Sequence, residues 1–182
     1  FKASGIAKHL RLVMDAVKTP VILDFDFDSL NDVPFEELHE LMSLDQVVGA
    51  YSSSDRSALL FGLKLWTTKL IFSGFDIGLG ASLLMGCEGV ISGISNVFPK
   101  EWLQAYQAFL KQDLKAFMAH YQTLLPFLHL SKDEPIGVLK ACLEELKQCL
   151  QYQRLPYEPL GERPCNEVIS NLHKTLKNLG EV

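Results

Sequence analysis

Long apolar runs are missing from this sequence. Each is broken by Ser, Gly, Asp or Lys well short of the ~20 residues a membrane-spanning helix needs, so no transmembrane segment is expected. Basic runs are missing as well: 17 Lys and Arg against 22 Asp and Glu leave a formal charge of −5. A nucleic-acid or anionic-membrane partner would need a concentrated Lys/Arg surface to displace counterions, so neither is expected. Cysteine is scarce. Cys87, Cys142, Cys149 and Cys165 contain no C-x-x-C pair, and three of them stand where apolar residues recur, which predicts buried thiols in a reducing, cytosolic compartment. Phe1 opens no charged-then-apolar signal pattern and no initiator Met precedes it, so the chain is expected to be a fragment, a processed form or the ordered part of something longer. Low-complexity stretches are absent too. With 48% hydrophobic and 21% charged residues, the 182-residue chain reads as a soluble globular unit able to bury a substantial core.

Metal and triad patterns are equally sparse. His9, His39, His120, His129 and His173 have no Cys or carboxylate at ligand spacing. The serine run Ser52 to Ser54 lacks a G-x-S-x-G context and reads as a turn and helix cap.

What is present is an order of elements. Four strand-length runs stand out, Val21-Ile22-Leu23, Val47-Val48-Gly49-Ala50, Leu70-Ile71-Phe72 and Gly89-Val90-Ile91, starting about 20 to 26 residues apart. Each gap holds one turn and one helix-length amphipathic segment, the spacing of βα units with parallel strands. Helix-start signals at Pro34 with Glu36-Glu37, Ser54-Asp55, Asp76 and Pro99 agree, and a first helix, Ile6 to Val17, precedes the first strand. The rest is helical. Stripes run through Trp102, Leu103, Tyr106, Phe109 and Leu110, then through Leu114, Phe117, Met118, Tyr121, Leu124 and Leu125. A third stripe is Ile136, Leu139, Leu143, Leu146 and Leu150, and Pro164 opens a fourth with Val168, Ile169, Leu172 and Leu176. Four βα units and an appended helical bundle make half a barrel or a small open α/β sheet, and periodicity does not choose between them.

Particular residues do choose. The stretch Leu70-Ile71-Phe72-Ser73-Gly74-Phe75-Asp76 and the run Gly86 to Val97 (Gly86-Cys87-Glu88-Gly89-Val90-Ile91-Ser92-Gly93-Ile94-Ser95-Asn96-Val97) closely resemble strands seven and eight of the dihydrodipicolinate synthase and N-acetylneuraminate lyase family of pyruvate-dependent class I aldolases. The similarity continues through Leu124-Leu125-Pro126, Pro135 to Cys142 and Arg154-Leu155-Pro156, and so covers nearly the whole chain. It implies an α/β fold, the second half (strands five to eight) of a TIM (β/α)8 barrel, over residues 1–112, followed by a C-terminal helical extension over 113–182. It also implies a small keto acid as ligand, no cofactor, and either a homo-oligomer or a missing N-terminal half-barrel to close the open sheet edges.

Two positions depart from the family pattern. Where the family reads approximately leucine-tyrosine-asparagine-x-proline, this chain reads Leu23-Asp24-Phe25-Asp26-Phe27, so Asp24 stands at the proton-relaying tyrosine. Where it reads approximately glycine-x-lysine-x-x-serine, this chain has Gly49-Ala50-Tyr51-Ser52-Ser53-Ser54, so Tyr51 stands at the Schiff-base lysine. A phenol forms no imine. Lys69, at the start of its strand, and Lys64, near the end of a helix, lie far from the end of the barrel where sites assemble. The resemblance therefore implies a catalytically degenerate homologue with a structural, regulatory or keto-acid-binding role. An active lyase using an amine from an unseen half or a competent partner subunit is the alternative.

Ser73, Gly74, Ile91, Ser92 and Asn96 match family positions near the bound keto acid, although small residues at strand ends serve packing equally well. Alternation puts Asp24, Asp26 and Asp28 on one face, where carboxylates could hold Mg2+, Mn2+ or Ca2+ and polarise a keto acid. The same residues suit a solvated turn, since barrel strands are short and Asp26 and Asp28 fall beside Ser29, Asn31 and Asp32. Asp24 and Tyr51 could also simply hydrogen-bond each other as a structural contact.

Overall fold

Strand-length runs and amphipathic segments alternate through the first half of the chain, and the computed structural model places a strand at each of the four runs. It describes residues 3–25, 34–53, 62, 64–65, 67–74, 76–131 and 134–180. The helix start at Ser54-Asp55 lies outside them. Among the described residues the chain forms one parallel sheet and seven α-helices, an α/β fold. It divides into two compact units, Phe1–Ile91 and Ser92–Val182.

In the first unit, α1 (Ala3–Ala16) leads into β1 (Val21–Asp24), and α2 (Phe35–Ser43) connects β1 to β2 (Val47–Ser52). Then come β3 (Leu70–Ser73), a 3-10 turn at Asp76–Gly78, α3 (Leu79–Leu84) and β4 (Gly89–Val90). Pro34 stands just before α2, and Glu36 and Glu37 fill its first turn, where carboxylates favour the positive end of the helix dipole. The strands lie side by side in chain order, all parallel. One face of the sheet packs on helices: Leu23, Phe25, Ala50 and Ile71 share a core with Met14 of α1 and Leu38, Leu41 and Met42 of α2. On the other face, Ile22, Leu70 and Ile91 remain 45%, 43% and 50% exposed. Parallel sheets ordinarily have both faces covered, so this apolar row is a surface that needs a cover.

The second unit is helical. A 3-10 turn at Ile94–Asn96 precedes α4 (Pro99–Leu110), α5 (Leu114–Leu130), α6 (Pro135–Glu145) and α7 (Glu162–Leu179). Pro99 and Pro135 sit in the first turns of α4 and α6, where a missing N–H leaves no bond unmade. The Asp113 carboxylate caps α5 by accepting from the Ala116 N–H at 2.9 Å. Phe98 packs on Phe127 with centroids 4.7 Å apart, and Phe117 stacks on Tyr121 at 5.7 Å.

The helical stripes are only partly as the periodicity predicts. Trp102, Phe117, Tyr121, Leu124, Val168, Leu172 and Leu176 are buried, but Leu103, Leu110, Leu114 and Met118 are exposed. On α4 the buried line passes instead through Ala105 and Ala108, since small side chains let neighbouring helices approach. α6 stops at Glu145, short of Leu146 and Leu150, because Lys147 turns the backbone to a φ of 58°. The first unit ends at Ile91, and α4 packs on α5 within the second. Among the described residues no helix is long and apolar enough to cross a membrane.

β2 and β3 meet closely at Gly49. A Cβ there would lie 2.6 Å from the Leu70 carbonyl oxygen and 3.1 Å from the Leu70 Cβ, so only glycine lets the ladder close. Gly49→Ala is expected to destabilise the fold by about 1–3 kcal/mol, the usual cost of overpacking a fitted site. Equilibrium urea unfolding measures this, and an unchanged midpoint would contradict the close approach.

Candidate functional site

Parallel pairing sets four residues at one level near the carboxyl ends of the strands. Asp24 pairs with Tyr51, Tyr51 with Phe72 and Phe72 with Gly89. Partners in a ladder share a face, so Asp24 and Tyr51 project to the side away from the helices that cover Leu23 and Phe25. The ladder continues past the strands through Phe25 N–H to the Tyr51 carbonyl (2.7 Å), Gly74 N–H to Ser52 (2.7 Å) and Ile91 N–H to Ser73 (2.9 Å). Those bonds hold Gly74 and Ile91 at the same end of the sheet.

Tyr51 is half-buried and its ring lies directly over Gly74. A Cβ at that glycine would stand 2.7 Å from both Cζ and Cε2 of the ring, so the phenol occupies space that a side chain at 74 would take. Burial pushes the Tyr51 pKa above 10.0 and the nearby Asp24 carboxylate pushes it further. A hydrogen bond with Ser53 draws it part of the way back, and Asp76 raises it again. The outcome is a neutral phenol, a hydrogen-bond donor whose ionisation two carboxylates oppose.

The other sequence-chosen residues divide. Asp24 is exposed on the same face as Tyr51, and Ile91 is half exposed at the same strand ends. Ser73 does not join them. It is fully buried on the helix-facing side, its hydroxyl 2.9 Å from that of Ser82, because alternation turns it to the side opposite Phe72 and Gly74. Ser92 and Asn96 belong to the second unit, where the Ser92 carbonyl accepts from the Ser95 hydroxyl (2.6 Å) and the Asn96 amide donates to the Gly93 carbonyl (2.9 Å). Those bonds cap the short 3-10 turn. Asp26 and Asp28 lie outside the described residues, among which no cluster of three or more His, Cys, Asp or Glu could hold a metal ion.

Two neighbours of Tyr51 escape sequence reasoning. Asp76 reads there as a helix start and as part of the family-like stretch, not as a neighbour of position 51, although its place two residues after Gly74 puts it just past the end of β3. Ser53 reads only as part of a serine run. Both act on the phenol.

Lysines Lys64 and Lys69 are engaged at the far end of the strands. The Lys69 ammonium donates to the Leu44 carbonyl, ahead of β2. Lys64 pairs with Glu88, just before β4, and the second oxygen of that carboxylate accepts from the Ile71 N–H at 2.7 Å. A cavity of about 610 Å3 in the second unit, lined by Glu134, Gln153, Tyr157 and Glu158 among others, includes none of the candidate site residues named above.

Residues 1–177 match the model of the Dihydrodipicolinate synthetase family. Among curated relatives, 4-hydroxy-tetrahydrodipicolinate synthase of Sorangium cellulosum is 28% identical over 177 residues, covering 93% of this chain and 58% of that protein. The same enzyme of Nitrosospira multiformis is 31% identical over 165 residues, covering 87% of this chain and 54% of that protein. Among solved structures, a prophage protein of the dihydrodipicolinic acid synthase family from E. coli K12, in complex with pyruvate, superposes with a TM-score of 0.84. It is 21% identical and aligns over 96% of this chain and 62% of its own. The chain thus spans less than two thirds of the length of each of these relatives.

The raised Tyr51 pKa makes stability depend on pH in one direction. The unfolded chain gives up this proton at the ordinary tyrosine value while the folded chain still holds it, so stability falls as pH rises through 10.0 and beyond. Absorbance titration should show a tyrosine component ionising above the ordinary value, and Tyr51→Phe should remove that component and flatten the alkaline loss of stability.

Proposed function

We propose that this chain, which belongs to the dihydrodipicolinate synthetase family, has given up imine chemistry and serves as a keto-acid-binding, structural or regulatory member of it. The observation that carries this reading is Tyr51. Resemblance puts the Schiff-base amine at this position of β2, and a phenol has no nitrogen to condense with a ketone. The reading gains support from the ring's seat over Gly74 at the carboxyl ends of the strands, where barrel sites assemble. Further support comes from Lys64 and Lys69, whose ammonium groups are bonded at the opposite ends. The ligand class follows from the relative held in complex with pyruvate.

In the same reading the four strands are strands five to eight of a barrel, and α5 to α7 form its C-terminal extension. The exposed row Ile22, Leu70 and Ile91 then faces the barrel interior. A first half-barrel or a second copy of the chain covers it, because free parallel edges and an apolar inner face are costly in water. A second reading is favoured by the chain's spanning 54% and 58% of its curated relatives. An amine from a first half, or from a competent partner subunit, would complete an active lyase.

Borohydride reduction in the presence of pyruvate separates the two. An imine would be fixed as a stable secondary amine on lysine, whereas the proposed function predicts an unchanged protein mass. Tyr51→Lys should gain the adduct at alkaline pH, where the ammonium that Asp24 and Asp76 favour gives up its proton. A pyruvate-sized mass increase on any lysine of the unsubstituted protein would sink the reading and favour the lyase.

A further inference from the structure

The cavity of about 610 Å3 lies wholly within the second unit, between the start of α6 and the segment from Gln153 to Gly161, and has the size of a small-molecule site. Its walls are tied. The Gln151 N–H donates to the Glu144 carboxylate (3.3 Å), the Lys140 ammonium to the Tyr152 carbonyl and the Tyr157 N–H to the Arg154 carbonyl (3.0 Å). A Cβ at Gly137 would lie 3.0 Å from Leu160 Cδ2 and 3.1 Å from its Cγ, so Leu160 seats against the first turn of α6 where position 137 is bare. The polar lining is one-sided. Glu134, Gln153 and Glu158 offer acceptor oxygens, and no Lys, Arg or His stands among the described lining residues. Gln153 is only 9% exposed, and its Nε2 donates to the Glu158 carbonyl at 2.8 Å. That bond orients the amide, since only the nitrogen can face a carbonyl. Oε1 is left over as an acceptor: among the described residues no donor reaches it or either carboxylate, and it is not sealed from solvent. Ile136, Pro156 and Tyr157 add apolar wall.

We propose that this cavity binds a small organic cation, an alkylamine or alkylguanidine whose N–H groups donate to Glu134, Glu158 and the Gln153 Oε1 while its carbon chain lies on Ile136, Pro156 and Tyr157. Charge favours this class. The positive end of α6 opposes a cation with about half an elementary charge, against two full carboxylates. An anion would meet the reverse balance. Gln153 separates the site from a pair of solvated surface glutamates, because a largely buried carbonyl oxygen is costly until something donates to it. An N–H donor on the ligand fills that need, and an aromatic wall adds attraction for its charge. The site stands independently of Tyr51 and of any keto acid.

Titration of n-butylguanidinium, n-butylammonium and the neutral n-butylurea into the full chain provides the test, read by calorimetry and by backbone amide shifts over residues 134–161. One or both cations should bind and move those amides, and the one that binds more tightly names the class. The urea should bind about tenfold more weakly than that cation, the worth of two exposed charge pairs, and added salt should weaken the cation alone. Joint Glu134→Gln and Glu158→Gln substitution should remove the preference for charge. Gln153→Leu should weaken cation and urea alike, since both lose the same acceptor. Circular dichroism melts confirm that each variant is folded, and should Gln153→Leu not fold, the charge variants decide. Equal binding of cation and urea, a preference for charge that survives in the folded double variant, or no amide shift around the cavity with either cation overturns the proposal.

Discussion

The parallel ladder of β1 to β4 is the constraint on which the rest depends. Its backbone bonds decide that Asp24, Tyr51, Phe72 and Gly89 stand at one level, and that Leu23, Ala50 and Ile71 turn to the helices. A slip of one residue would exchange the faces, exposing Leu23 and Phe25 and burying Asp24 among methionines and leucines. Burying that carboxylate unpaired would cost more than the sheet gains, so apolar packing on one face and charge on the other enforce a single register. Gly49 tightens the same constraint, because β3 approaches it so closely that no Cβ fits.

Electrostatics follows from that geometry. A phenol leaning over Gly74 loses part of its hydration, and the Asp24 and Asp76 carboxylates make a negative charge there costlier still. Lysine at the same place would be drawn toward its charged form by Asp24 and Asp76. Tyrosine is instead held neutral. The environment thus suits a donor better than a nucleophilic amine, which needs its charge suppressed before it attacks a carbonyl.

Position outweighs inventory in the first unit. Lys64 and Lys69 supply amines, but one is committed to Glu88 and the other to the Leu44 carbonyl, both where strands begin. Two carboxylates are placed the other way. Asp24 and Asp76 come at the ends of β1 and β3, the end at which ligands of α/β sheets are bound.

Much was legible in the residues themselves. Short β-branched runs separated by helix-start signals foretold all four strands and their parallel order, because strand length and crossover length are local properties. The motif from Leu70 to Asp76 and the run from Gly86 to Val97 pointed to the family, and period-two alternation along β1 put Asp24 opposite Leu23. Tertiary structure alone decided the rest. It turned Ser73 to Ser82 and away from the phenol, gave the buried line of α4 to alanines, and joined Ser53 and Asp76 to Tyr51. Alternation says which residues share a face but not which face meets a helix or what stands across it. Those outcomes are set by the packing of segments distant in sequence, whose mutual positions no local pattern encodes.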